Sequence, residues 1–130
     1  MRYLRFVVRQ KDRDSGVRQG VLQTAIALKR NGTLSMSEAS RLHDLGRWFD
    51  EHLPRPKRFT RTKNASHKRT RGIAWFKDVA HEHLRRAREM ISILETQGVV
   101  VEVIETQRPG YVVYEDEFQI VAEPFADTGA

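Results

Sequence analysis

Residues 71–105, RGIAWFKDVAHEHLRRAREMISILETQGVVVEVIE, decide how the chain is read. Phe76, Ala80, Leu84, Ala87, Ile91 and Leu94 recur at steps of three and four, which places them along one face of a 3.6-residue helix. The spacing predicts one long amphipathic helix. Gly98 should end it, because a glycine just past the last periodic residue can take the left-handed conformation that satisfies the final carbonyls, with Val99 folding back onto the last turn. The VVVEVIE that follows is β-branched and predicts a strand over 99–105. The rest of the chain is expected to pack around this helix and strand.

With 130 residues the chain is one domain's worth, and a single domain over 1–130 is expected. Apolar content of 39% against 31% charged residues is that of a globular protein. No apolar run approaches the ~20 residues that span a bilayer. The opening MRYLRFVVRQ holds only a brief apolar patch, too short for a signal-peptide core. No membrane association and a cytoplasmic location are therefore expected. Without cysteine there is neither a disulfide framework nor a thiolate metal site.

The net charge of +6 conceals an asymmetry. Residues 1–101 carry 22 Lys or Arg against 10 Asp or Glu, whereas 102–130 carry one, Arg108, against seven. Such separation calls for an anionic partner at the front of the chain or for internal pairing of its two parts.

Along the chain, Leu4, Phe6 and Val8 alternate with Arg5 and Arg9, the period-2 pattern of a half-buried strand over 3–9. KDRDSG is a turn, and Ser15 can cap a helix whose Val17, Val21, Ala25 and Leu28 step by three and four to Asn31-Gly32. Ser35 to Glu38 fits the capping box S-x-x-E, opening a second helix with Ala39, Leu42, Gly46, Phe49 and Leu53 on one face and Pro54 as its stop. The two helices form an αα-hairpin. As a DNA-reading helix-turn-helix they fit poorly: Glu38, Arg41, Asp44, Arg47 and Glu51 give the exposed face mixed signs where a groove-reading helix is basic.

Residues 55–71, RPKRFTRTKNASHKRTR, have no apolar periodicity, eight Lys or Arg and no acid. They predict a flexible basic loop. One reading is a solvated loop that aids solubility. The other is a phosphate-binding arm, because closely spaced cations repel one another until a polyanion neutralises them. In it Arg55, Lys57, Arg58, Arg61, Lys63, Lys68, Arg69 and Arg71 contact phosphates, and Phe59 or Trp75 stacks on a base. Trp75 and Phe76 open the long helix; Phe76 is expected to be a hydrophobic plug at one end of the core, and Trp75 stays open between plug and stacking platform.

On the polar face of the long helix, Glu82 and Arg86 make an i, i+4 pair. His81 and His83 stand two apart, on opposite sides of the helix, so they do not chelate one ion, and no metal site or cofactor is expected. The turn TQRPG leads into YVVYEDEFQIVAEPF, read either as one strand bent by a bulge near Glu115 to Glu117 or as a hairpin with Asp116-Glu117 at its tip. Neither tip residue favours the positive φ of a two-residue hairpin, so the bulged strand is preferred. Pro124 ends the sheet and the tail 126–130 should fray.

GIAWFK followed by a long helix, and PGYVVYEDEFQIVAEPF at the end, resemble motifs of a group of small bacterial proteins with no assigned activity. The likeness runs over nearly the whole chain, implies a bacterial, cytosolic protein and transfers no catalytic residue. In outline the element order is also similar to that of RelE-type ribonuclease toxins, departing from it in the long helix before the terminal strands.

GxxxxGK[ST], GxGxxG, GxSxG and HExxH are all absent. The EDE at 115–117 is similar to the acidic ExE of ADP-ribosyltransferases, but the chain is short for that fold and has no partner motif. The expectation is an α+β fold: an antiparallel sheet of three or four strands packed by one long helix and an αα-hairpin, in the order β-α-α-loop-α-β-β-β. The expected function is non-enzymatic nucleic-acid binding, RNA ahead of DNA, through the basic loop. One alternative is a metal-independent ribonuclease, for which His67, His81, Arg108, Tyr111, Tyr114 and Glu115 are of suitable type. The other is a protein-interaction module whose basic loop docks on an acidic partner or a second copy.

Overall fold

The computed structural model describes residues 1–11, 18–55 and 72–125. The element order is β1 (Tyr3–Lys11), β2 (Arg18–Gly20), α1 (Val21–Asn31), α2 (Met36–His52), β3 (Ile73–Lys77), α3 (His81–Thr96), β4 (Glu102–Thr106), β5 (Tyr111–Glu115) and β6 (Gln119–Glu123). The class is α+β, with three helices on a six-stranded antiparallel sheet.

The long helix is shorter than its periodicity implies. Ile73–Lys77 form a strand, paired with Leu4 on one side and with Gln119 to Ala122 on the other. Ile73, Trp75 and Lys77 are buried, Ala74 is exposed and Phe76 is partly buried, which is period-2 alternation. Phe76 matched the helical stripe because it reaches the same core as Leu84, Ala87, Ile91 and Leu94, from the sheet side. α3 then begins at His81 and ends as expected. Gly98 takes φ +80°, its N–H donates to Glu95 O (3.0 Å), and Val99 N–H reaches back to Leu94 O (3.2 Å).

Two more boundaries move. Arg18–Gly20 pair with β1, so α1 starts at Val21, and Ser15 and Val17 fall outside the described residues. The terminal segment is a hairpin, not one bent strand: Tyr111 pairs with Glu123 and Glu115 with Ile120, with a bulge between Val112 and Tyr114. Its tip needs no positive φ, because the Asp116 carboxylate accepts the N–H groups of Phe118 (2.8 Å) and Gln119 (3.1 Å). α2 keeps its capping box, with Glu38 N–H donating to Ser35 Oγ (3.2 Å) and Ser35 N–H to Glu38 Oε1 (3.1 Å).

β1 is the hub of the sheet. Tyr3 to Val7 pair with β4 on one edge; on the other, Tyr3 and Leu4 pair with β3, and Val7 and Lys11 with β2. The five main strands thus run β4-β1-β3-β6-β5. All three helices pack on one face, where Leu4 and Phe6 meet Val21, Leu42, Leu45, Phe49, Leu84, Met90 and Leu94. The second face holds Ile73, Trp75, Ile120 and Ala122, with Tyr3 and Ile104 against them.

The link from Thr106 to Tyr111 explains how that second face is enclosed. A flat sheet would hold β4 and β5 four strand spacings apart, about 19 Å. Five peptide steps reach at most about 18 Å. The sheet therefore curls, which brings Ile104 of β4 against the second cluster.

Candidate nucleic-acid interface and neighbouring clefts

Of the ten residues that sequence reasoning assigned to nucleic-acid contact, the described part of the structure contains two. Lys57, Arg58, Phe59, Arg61, Lys63, Lys68, Arg69 and Arg71 lie outside the described residues, as do His67 and the tail 126–130. Arg55 follows the Pro54 stop of α2; it is exposed and its guanidinium is 3.3 Å from Asp50. The Gln119 carboxamide on β6 donates to Pro54 O (2.7 Å), fixing where the cationic stretch departs. Trp75 is the correction. It is 1% exposed on β3, inside the curl of the sheet, and presents no ring face to a base.

Arg55 also lines a groove between α1 and α2 with a volume of about 360 Å³. Its floor is apolar, from Leu22, Ala25, Leu42, Phe49 and Met90, and its rim carries Lys29, His43, Arg47, Asp50 and Arg55. Lys29 Nζ lies 3.4 Å from His43 Nδ1, and Arg47 is 3.6 Å from Glu51 across two exposed side chains. Exposed pairs of this kind hold their partners weakly, so the rim stays available to a stronger anion. The other charges of α2 are tied inward: Arg41 pairs with Glu89 of α3, and Glu38 accepts from Thr96 Oγ1 (2.7 Å).

A smaller cleft of about 210 Å³ gathers Arg2, Asp78, His81, Arg88 and Glu105. Arg2 N–H donates to Asp78 Oδ2 (3.1 Å), and its guanidinium is 3.5 Å from Glu105. His81, Leu84 and Arg88 share one side of α3, a spacing the sequence displayed. Arg2 and Glu105 join them through the β1–β4 register, in which Tyr3 pairs with Thr106, and nothing in the sequence announces that pairing.

Compared with known proteins, the chain matches no family model, no curated protein and no solved structure.

The remaining ribonuclease candidates do not join His81. Tyr114 O–H donates to Asp116 Oδ2 (2.8 Å), and that bond, with burial and the carboxylate's charge, raises its pKa. Burial pushes the Asp116 carboxyl up, but the Gln119, Phe118 and Tyr114 donors outweigh it and hold Asp116 below the usual carboxylate range. Glu115 is bound to Lys77 Nζ at 2.5 Å, and the Arg108 guanidinium sits 5.4 Å over the Phe125 ring.

Sequence reasoning also missed His83. It is 3% exposed, its ring stacks on Phe118 (4.3 Å) and meets Trp48 edge-on (4.7 Å), and its Nε2–H donates to His52 O (2.7 Å). It fastens α3 to the end of α2 and the hairpin tip. Among the described residues no three His, Asp or Glu are placed to hold a metal ion, and no helix is long and apolar enough to cross a membrane.

Proposed function

We propose that this protein binds nucleic acid, RNA ahead of DNA, through the cationic stretch 55–71 and the α1–α2 groove that begins at Arg55. The observation that carries the reading is the continuity of the two. Eight cations without an acid in sequence start at the residue where a groove rimmed by Lys29, His43, Arg47 and Arg55 begins. Four of the seven carboxylates in 102–130 that might have neutralised this charge are engaged elsewhere. Glu102 pairs with Arg18 (2.7 Å), Glu105 with Arg2 and Glu115 with Lys77, and Asp116 accepts the donors of its own turn. An irregular or single-stranded RNA suits such a surface better than a rigid duplex, because its phosphates can follow both groove and stretch. A cytoplasmic setting is the compartment this reading requires.

Fluorescence anisotropy against salt tests it. Single-stranded RNA should bind more tightly than duplex DNA, with a log–log slope of about −0.7 for each phosphate neutralised. The double change Lys29→Gln and Arg47→Gln should make that slope shallower by about 1.4, and neutralising Lys57 to Arg71 should reduce it further. No binding at low salt, or a slope indifferent to both sets, refutes the proposal. A dimer that dissociates as salt rises, without retention on RNA, would favour self-association through the same charges.

The His81 cleft favours a second reading, metal-independent RNA cleavage. Glu105 would take the 2′-hydroxyl proton as that oxygen attacks phosphorus, His81 would protonate the departing 5′-oxygen, and Arg2 and Arg88 would hold the phosphorane charge. RNA incubated with the protein in EDTA should then yield 2′,3′-cyclic ends, lost in His81→Ala. Intact RNA removes this reading and leaves binding untouched.

A further inference from the structure

The groove between α1 and α2 is left open by one residue. From α1 it takes Leu22, Ala25, Ile26 and Lys29, at steps that set them on one side of that helix; from α2 it takes Leu42, His43, Gly46, Phe49 and Asp50. Gly46 stands in the middle of the α2 wall without a backbone reason for being glycine. Its φ is not positive, and a Cβ built on it would meet no atom within 4 Å. A glycine inside a helix weakens it relative to alanine, so Gly46 lowers stability and leaves room in return. Ile26, 51% exposed, stands at the edge of that room.

Gln119 of β6, a residue 4% exposed, lines the same groove with Pro54 and Arg55. Its Nε2 hydrogens are both committed, one to Pro54 O (2.7 Å) and one to Asp116 Oδ2 (3.0 Å). Both partners are acceptors, which fixes the orientation of the carboxamide. Among the described residues nothing donates to Gln119 Oε1. The groove thus combines an apolar floor that belongs to the helix-side core, a fixed acceptor and a cationic rim.

We propose, resting on the nucleic-acid reading, that the groove takes one unstacked base of the bound RNA and that this base is adenine. The purine ring occupies the space over Gly46 against Ile26, its N6–H donates to Gln119 Oε1, and the phosphates on either side meet Lys29, Arg47 and Arg55. An alkyl chain, which an apolar floor also suits, brings no donor and would cover the Gln119 oxygen unpaired. Guanine, hypoxanthine and uracil place a carbonyl where adenine carries its amine, so acceptor would face acceptor. Cytosine has the amine but fills less of a groove of about 360 Å³.

The test is the anisotropy of a labelled oligouridine of about 12 nucleotides with a single central adenosine, against the same strand with inosine in that place. The adenosine strand should bind at least about tenfold more tightly, a difference of about 1.4 kcal/mol. Gly46→Leu fills the groove without removing a cation. It should unfold in urea no earlier than the parent protein, keep the salt slope and bind both strands with the weaker affinity. Should Gly46→Leu not fold, the two strands decide on the parent protein alone. Equal affinity of the parent for both strands, or a Gly46→Leu protein that still prefers adenosine, overturns the base pocket and leaves the nucleic-acid reading standing. A parent that binds neither strand at low salt overturns both. Adenosine monophosphate that binds as tightly as the adenosine strand overturns RNA as the source of the base, since the neighbouring phosphates would then add nothing.

Discussion

Gly110→Ala is the substitution that probes most directly how the link between β4 and β5 meets the end of β6. Gly110 lies in the link that carries the chain from β4 to β5, at φ +136°, a region closed to residues with a side chain. A Cβ there would overlap the Glu123 carbonyl oxygen and stand 2.7 Å from its carbon and 2.8 Å from Pro124 Cα. These are backbone atoms at the end of β6 and cannot rotate away. Conformational strain of about 1–3 kcal/mol adds to about 1–3 kcal/mol for displacing packed backbone, so the expected loss is about 2–6 kcal/mol. Gly98→Ala supplies the internal control. Its φ of +80° is strained too, but an added Cβ meets nothing within 4 Å, so only about 1–2 kcal/mol should be lost. Urea unfolding followed by circular dichroism separates them: with m near 1–3 kcal/mol/M, a 3 kcal/mol loss lowers the midpoint by about 1–3 M. If Gly110→Ala costs no more than Gly98→Ala, the close approach of the link to the end of β6 is wrong.

Leu94→Ala, at a fully buried site in the helix-side core, should lose about 2–5 kcal/mol in the same assay. Glu115→Gln should cost about 1–3 kcal/mol, because Lys77, only 11% exposed, loses the carboxylate that offsets its charge; Glu51→Gln, breaking the exposed pair with Arg47, should cost under about 0.5 kcal/mol. Hydrogen bonds from Arg85 and then Arg86 lower the Glu82 carboxyl from 4.5 to about 2. Its contribution should therefore be complete above pH 4.5 and disappear as pH falls towards 2. Acid unfolding of Glu82→Gln should show a shallower loss of stability across that window than the parent protein.

The sequence displayed what depends on local chemistry. The capping box at Ser35, the Gly98 terminator and the alternation of β1 each needed only near neighbours. What it concealed depends on partners far along the chain. GIAWFK looked helical because Phe76 faces the helical core, and only pairing with Leu4 and Ile120 makes it a strand. Arg18–Gly20 are too few to show a period, and the hairpin tip relies on the Asp116 side chain, not on a glycine. The site was partly visible: the run of cations could be read directly, but the groove continuing from Arg55 required the packing of α1 on α2. Trp75 was misplaced together with its strand.

The central position of β1 bears on how the protein is made. Leu4 finds its neighbours at Phe76 and Glu105, so most of the chain must be synthesised before the strand is bordered on both edges. Until then an apolar ribbon with bare amides waits on the ribosome, open to intermolecular pairing. Translation speed and chaperone supply should thus govern soluble yield more strongly than the equilibrium stability of the finished fold.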